Sequence, residues 1–172
     1  MALRPDPEVG YRRPGDHQRA EGFVERRVFV QASPRIVWST LHDPAWDTAL
    51  YPELRFGPAA PSWPAAATTR QARTRLGLLR EDARVESLEA RPDSKFRIRI
   101  TGSGFDSEWS WQLESVAGGT RVIHAATFEP FDRWTGLLVR FGRASLGSRV
   151  EGHLRALKER AEAVQRATER AS

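Results

Sequence analysis

Histidine is the residue type best suited to acid–base chemistry in this 172-residue chain, which has four histidines and no cysteine. His124 is the sharpest candidate, because Val122, Ala126 and Phe128 share its alternation within residues 120–128. An imidazole that faces inward among apolar groups can titrate near neutrality and act as a general acid or base. The alternative, which the pattern alone favours, is a neutral core histidine that hydrogen-bonds to a neighbouring group.

Arg26 is the second candidate, because it shares the parity of Val24, Val28 and Val30 in the predicted strand 23–30. A guanidinium that faces an interior could bind the carboxylate or phenolate of a ligand. The slightly preferred alternative is a strand-end arginine that pairs with a carboxylate or reaches solvent. Three further arginines lie on one predicted strand whose inward face the sequence does not decide: Arg70, Arg73 and Arg75.

Metal and nucleotide chemistry find no support in the sequence. The four histidines, His17, His42, His124 and His153, do not have the spacing of an iron site built from two histidines and a carboxylate. The lack of cysteine excludes disulfides and thiolate zinc sites. Phosphate-loop, dinucleotide and nucleophile-elbow motifs are absent from the sequence. We therefore expect no metal and no cofactor.

The formal net charge of +5 raises the question of a nucleic-acid partner. All but Lys95 and Lys158 of the 27 basic residues are arginines, and they are interleaved with acidic residues rather than gathered in a block. This pattern predicts a solvated surface and no nucleic-acid binding. No apolar run approaches the roughly 20 residues of a membrane span, and the N-terminal residues lack the apolar core of a secretory signal. The expectation is a cytoplasmic protein.

Two short helices are predicted directly after the first strand. The pair Ser33–Pro34 supplies an N-cap hydroxyl and then a proline at the first helical position, and Asp43–Pro44 repeats this device. The first helix is thereby limited to about two turns, residues 34–41. Residues 1–21, which are rich in proline and glycine, are predicted to form a flexible arm, and residues 22–172 a single domain.

Alternating apolar and polar side chains predict a series of antiparallel strands, joined by turns such as Gly77–Leu78 and Gly118–Gly119. The strands are predicted at residues 68–76, 79–89, 95–101, 106–116 and 120–128. From Asp132 to about Arg170, apolar steps of three and four predict one helix of roughly 58 Å.

Three segments of the chain resemble the SRPBCC superfamily, the helix-grip proteins related to START lipid-transfer domains, birch-pollen-allergen-like proteins and polyketide cyclases. They are VQASPRIVWSTLHDPAWDTALYPEL, GGTRVIHAATFEP and EGHLRALKERAEA. The resemblance implies an α+β fold, in which a curved antiparallel sheet of about six to seven strands wraps around the long C-terminal helix. Two short helices would follow the first strand, and a cavity would lie between the sheet and the long helix.

The predicted parities give the side chains that would line such a cavity: Phe96, Ile98, Ile100, Trp109, Trp111, Val122, His124, Ala126, Phe128, Trp134, Leu138 and Phe141. The alternative is that these side chains meet in a filled core. The resemblance favours a protein that binds a hydrophobic small molecule, whether aromatic, lipid-like or polyketide-like. It also admits a cyclase or aromatase that promotes aldol cyclisation or dehydration, with His124 as acid or base and Arg26 beside it. The ligand and the oligomeric state stay open.

Overall fold

A computed structural model of the protein describes residues 22–76 and 79–171. The predicted arm and the Gly77–Leu78 connection lie outside the described residues. The elements are β1 (Val24–Val30), α1 (Pro34–Leu41), a 3-10 turn (Pro44–Trp46) that leads into α2 (Asp47–Leu50), β2 (Leu54–Phe56), β3 (Thr69–Leu76), β4 (Leu79–Arg91), β5 (Lys95–Thr101), β6 (Phe105–Val116), β7 (Gly119–Ala126), β8 (Glu129–Pro130) and α3 (Arg133–Ala171).

The strands form one antiparallel sheet in the order β1-β7-β6-β5-β4-β3-β2, and the two-residue β8 pairs with the start of β6. The sheet curls around the long helix α3, so the predicted α+β helix-grip fold is confirmed. In the register of the central strands, Phe96 lies opposite Trp111, and Trp111 lies opposite His124. Three rings from three neighbouring strands therefore share the concave face.

The two short helices begin where their capping residues predict. The Ser33 hydroxyl accepts a hydrogen bond from the Ile36 amide at 3.4 Å, at the start of α1. The Asp43 carboxylate accepts one from the Ala45 amide at 3.0 Å, at the start of the 3-10 turn. Because the second start follows so soon, α1 ends at Leu41, as predicted.

The two faces of the sheet differ sharply in chemistry. The predicted inward residues of β5, β6 and β7 are all buried, whereas the convex face carries ion pairs between neighbouring strands. Arg99 and Arg97 contact the Glu108 carboxylate at 2.6 Å and 3.2 Å, and Lys95 contacts Glu89 at 3.0 Å. This amphipathic pattern fixes which side of the sheet faces α3.

The C-terminal half of α3 is fastened to the sheet by apolar and polar contacts. The Lys158 ammonium donates to the Phe29 carbonyl at 2.7 Å, and the Glu162 carboxylate accepts from the Gln31 amide at 2.9 Å. The helix buries one stripe of side chains: Val150, His153, Leu154, Leu157 and Ala161. In the part of the chain that the structure describes, no helix has the length and apolar character needed to cross a membrane.

The β6–β7 hairpin shows why glycines stand at its turn. Gly118 has a φ of +80°, a conformation that favours glycine. Gly119 lies so close to the Val30 carbonyl oxygen that a Cβ atom would collide with it. The edge strand β1 can therefore approach β7 closely at this end.

Candidate functional site

A cleft of about 310 Å³ opens between the end of α2 and the middle of α3. Gly152 keeps part of it open, because no atom outside its own helix backbone lies within 4 Å of the position that a Cβ would take. The volume is at the lower end of the range of roughly 300–1,000 Å³ that is typical of small-molecule sites. The cleft is lined by Ala49, Pro52, Glu53, Ser148, Arg149, Gly152 and His153.

A second, inner cavity of about 30 Å³ shares Glu53 and Arg149 with the cleft. Its other walls are mostly apolar: Leu54, Thr74, Ile100, Phe105, Ser107, Trp109, Phe128 and Leu146. A space of this size holds little more than one water molecule. Glu53 thus stands at the boundary between an open cleft and an apolar interior.

A chain of hydrogen bonds runs from Glu53 into the core. Glu53 Oε1 lies 2.7 Å from His153 Nε2, and His153 Nδ1 lies 3.2 Å from His124 Nε2. The chain ends where His124 Nδ1 meets the Ser110 carbonyl oxygen at 2.9 Å. The side chains of Glu53 and His153 are 8% and 4% exposed, so the pair is shielded from solvent.

The direction of this chain follows from counting protons. A carbonyl can only accept, so His124 carries its proton on Nδ1 and presents a lone pair at Nε2. His153 must then donate from Nδ1. One further proton must lie between His153 Nε2 and Glu53 Oε1, because two acceptors would repel each other at 2.7 Å. The pair is therefore either an imidazolium with a carboxylate or a neutral imidazole with a carboxylic acid.

Burial holds His124 in its neutral form. Its side chain is fully buried, and the loss of hydration together with the neighbouring His153 lowers the pKa of His124 to about 3, against the opposing bond to the Ser110 carbonyl. Both of its ring nitrogens have partners inside the protein. His124 orients His153 and does not line either cavity.

Local structure explains why Glu53 and His153 meet. Glu53 lies between α2 and β2, where its carbonyl accepts from the Arg75 amide at 3.0 Å and so ties it to β3. His153 lies in the buried stripe of α3 and contacts the rings of Tyr51 and Trp109 at centroid distances of 5.2 Å and 5.1 Å. The same burial raises the pKa of the Tyr51 phenol well above its ordinary value.

The side chains that the sequence predicts as lining fall into three groups. Ile100, Trp109 and Phe128 line the inner cavity. Trp134 is 78% exposed, and the side chains of Leu138 and Phe141 lie outside the described part of the structure. The remaining predicted residues are buried by packing against one another and against the core: Phe96, Ile98, Trp111, Val122, His124 and Ala126.

Ring stacking accounts for part of this packing. Trp111 stacks on His124 at 4.4 Å and on Phe96 at 5.5 Å between ring centroids. Trp63, in the proline-rich loop, meets Phe96 edge to face at 6.2 Å. The centre of the concave face is therefore a packed aromatic layer, and the space for a ligand lies beside it, towards Glu53.

The arginines that the sequence singles out take different positions. Arg26 lies opposite His124 in the strand register, but its side chain is about half exposed and pairs with Glu151 of α3 at 2.9 Å. Of the three arginines on β3, Arg70 is the one that faces inward: it is buried and pairs with Asp47 at 2.8 Å. Arg73 and Arg75 are exposed.

Glu53 and His153 were not among the residues predicted to form the site. The sequence held a signal for His153, because it follows Val150 by three residues and precedes Leu157 by four, which places it on the apolar face of the helix. Glu53 lies in a short connection and carries no such signal. Among the described residues, no cluster of histidine and acidic side chains has the arrangement of a metal site.

The model of one protein family, described as "Polyketide cyclase / dehydrase and lipid transport", matches residues 23–162. No curated protein matches the chain. Among solved structures, a protein from Thermus thermophilus is 21% identical with a TM-score of 0.67, over 83% of this chain and 98% of that one. An aromatase/cyclase from Streptomyces sp. R1128 is 13% identical with a TM-score of 0.65, over 81% and 94%. These structures share the fold.

Proposed function

Because the chain belongs to the family of polyketide cyclases, dehydrases and lipid-transport proteins, we propose that it binds a hydrophobic small molecule, aromatic, lipid-like or polyketide-like, at the cleft beside Glu53. The observation that carries this proposal is the position of Glu53, whose buried carboxyl group lies between an open cleft and an apolar inner cavity. Apolar walls with few convergent polar groups are typical of small-molecule sites.

The test fills the cleft without disturbing the core. Gly152→Leu places a side chain in the open space, and leucine is a better helix former than glycine, so the fold is expected to persist. We expect the affinity for the neutral fluorescent probe N-phenyl-1-naphthylamine to fall at least about tenfold, a loss of roughly 1.4 kcal/mol. Arg155→Leu, on an exposed position of the same helix, is the matched control. Equal affinity in both variants would refute the proposal.

An acid–base enzyme in the same cleft is the second candidate, and the Glu53–His153 pair favours it. A buried carboxylate and an imidazole that share one proton can take a proton from a bound ligand and return it, as aldol cyclisation or dehydration requires. In this candidate, His124 acts by orienting His153. Arg26 has no part in it while it is paired with Glu151.

Hydrogen exchange at a ketone separates the two candidates. The probe is 1-phenyl-2-propanone in D2O, and the rate at which deuterium replaces its acidic C–H protons is followed by NMR. An enzyme accelerates this exchange, Glu53→Gln abolishes the acceleration, and His124→Gln lowers it while leaving the affinity for the probe nearly intact. A wild-type rate equal to that of buffer identifies the protein as a carrier or binding protein.

A further inference from the structure

We infer that the ligand of this cleft carries a hydroxyl group on an apolar body, and that Glu53 Oε2 accepts the hydrogen bond of that hydroxyl. The inference rests on the proposed function, since it concerns the same site, and it names the chemical class that the site selects. Phenols, enols and apolar alcohols belong to this class, whereas carboxylates and plain hydrocarbons do not.

The first observation is an acceptor without a donor. Glu53 is more than nine-tenths buried, and its Oε2 atom has no hydrogen-bond partner among the described residues, whereas Oε1 is held by His153. A buried carboxylate oxygen without a donor carries a desolvation cost that a bound group can remove. Because Glu53 lines both cavities, a ligand in the cleft lies beside its carboxyl group, and a small rotation of that buried group would bring Oε2 to the ligand.

Oε2 remains an acceptor wherever the shared proton lies. If His153 carries it, Glu53 is a carboxylate and both of its oxygens only accept. If Glu53 carries it, the 2.7 Å contact places it on Oε1, and Oε2 is then the carbonyl oxygen of the acid. The ligand must therefore supply the hydrogen in either state. A ligand carboxylate, which has no hydrogen to give near pH 7, would gain no hydrogen bond from Oε2, and it would be repelled where Glu53 is ionised.

Two polar side chains of the inner cavity, Trp109 and Ser107, are already engaged elsewhere. The Trp109 indole N–H donates to the Ser107 hydroxyl at 2.9 Å, and that hydroxyl donates to the Thr127 carbonyl at 2.6 Å. Each of these side chains has one hydrogen to donate, so neither can donate to Glu53 without breaking its present bond. The accessible surface of the larger cleft is chiefly apolar, which suits the body of the ligand.

Arg149 distinguishes a hydroxyl from other donors. It lines both cavities together with Glu53, and a guanidinium only donates. A hydroxyl can donate to Glu53 and accept from Arg149 at the same time. An ammonium group lacks the lone pair for the second bond, and a carboxylate lacks the hydrogen for the first.

Matched naphthalenes test the inference by displacement of N-phenyl-1-naphthylamine at pH 7. In 2-methylnaphthalene a methyl group replaces the hydroxyl of 2-naphthol at nearly the same size, and 2-naphthoate supplies the carboxylate. We expect wild-type protein to bind 2-naphthol at least about tenfold more tightly than the other two, as loss of a hydrogen bond to a buried charged group implies.

Two substitutions assign that preference to Glu53. Glu53→Leu removes the acceptor, so the preference for 2-naphthol over 2-methylnaphthalene should vanish. Glu53→Gln can donate its amide to neutral His153 and still present a carbonyl oxygen to the ligand, so most of the preference should remain. Both effects require a folded protein, which circular dichroism verifies, and the glutamine variant preserves the shape of the site.

The outcomes distinguish the hydroxyl preference from the binding function on which it rests. If wild type binds the naphthol and its methyl analogue equally, or if Glu53→Leu keeps the preference, the inference is overturned and the proposed binding function stands. If neither the fluorescent probe nor any of the naphthalenes binds to the wild-type protein, the proposed function fails, and the inference fails with it.

Discussion

Glu151 and His153 lie two residues apart on α3, and each contacts an oppositely charged or proton-sharing partner at a similar distance. Glu151 contacts Arg26 at 2.9 Å, and His153 contacts Glu53 at 2.7 Å. The first pair is about half exposed, whereas the second is almost entirely buried. Residues two apart on a helix point in nearly opposite directions, so one pair faces solvent and the other faces the core.

This contrast shows that the contact distance alone does not indicate which pair contributes more to stability. The charges of an exposed ion pair are well hydrated whether or not they are paired, so the pair contributes little to the free energy of unfolding. A buried pair has already lost its hydration, so each partner depends on the other and on the groups that hold it. His153 is held by His124, and Glu53, which lines the cleft, has an oxygen, Oε2, without a hydrogen-bond partner among the described residues. Only the buried pair combines mutual dependence with access to a cavity.

Breaking the buried pair should have the largest effect. His153→Leu leaves the Glu53 carboxyl group in a buried site without its partner, and we expect the free energy of unfolding to fall by about 3–5 kcal/mol. Urea unfolding followed by circular dichroism measures this. Adding Glu53→Leu replaces the pair by two apolar side chains and should restore most of the loss. A double variant no more stable than the single one would contradict this account.

Acidification should lower the free energy of unfolding, and the loss should grow with each pH unit below about 6.5. The pKa of His124 is lowered to about 3 in the folded protein from an ordinary value of 6.5, so the unfolded chain binds a proton first as the pH falls. The contribution of neutral His124 to the free energy of unfolding is complete above about pH 6.5. It is lost towards pH 3, by roughly 1.4 kcal/mol per pH unit within this window. His42, whose pKa burial lowers to about 4, adds to the same slope.

Urea unfolding at several values between pH 7 and pH 4.5 measures that slope. His124→Gln should reduce it by about the amount expected for one histidine, roughly 1.4 kcal/mol per pH unit. His42→Gln serves as a comparison, because His42 also bonds a backbone carbonyl, that of Trp38, but has no described connection to the cleft. Identical slopes in wild type and His124→Gln would show that His124 does not hold its neutral form as described.

Breaking the exposed pair should have the smallest effect. Arg26→Gln is expected to change the free energy of unfolding by less than about 1 kcal/mol, and added salt should reduce even this difference. The affinity for N-phenyl-1-naphthylamine should not change, because Arg26 lines neither of the two cavities beside Glu53. A clear loss of affinity would instead support the hypothesis, based on strand parity, that Arg26 contacts the ligand.

Local signals were sufficient for most of the fold. The observed bounds of α1, Pro34–Leu41, and of β5, Lys95–Thr101, are those that the caps and the alternation predict. The strand β2 escaped prediction, because the three residues Leu54–Phe56 are too few to show an alternation. Elements can be predicted where a periodic pattern repeats, and short edge strands lack such a pattern.

The candidate site depends on information that no single segment carries. Glu53 and His153 are 100 residues apart in sequence, and their contact is set by where α3 crosses α2, the helix that precedes Glu53. The helical stripe places His153 inward, yet the identity of its partner follows from the crossing point alone. His124 was found through its strand parity, but its role in orienting a second histidine depends on that same crossing.

The attachment of α3 to the edge strand β1 also limits pairing of this strand with a second copy of the protein. A strand at the border of a sheet offers unpaired backbone groups to which another chain can add. Here Lys158 and Glu162 engage backbone groups of Phe29 and Gln31 at one border, and the opposite border is formed by a strand of three residues. The C-terminal turns of α3 thus guard against edge-to-edge aggregation, and their removal would uncover a site for intermolecular strand addition.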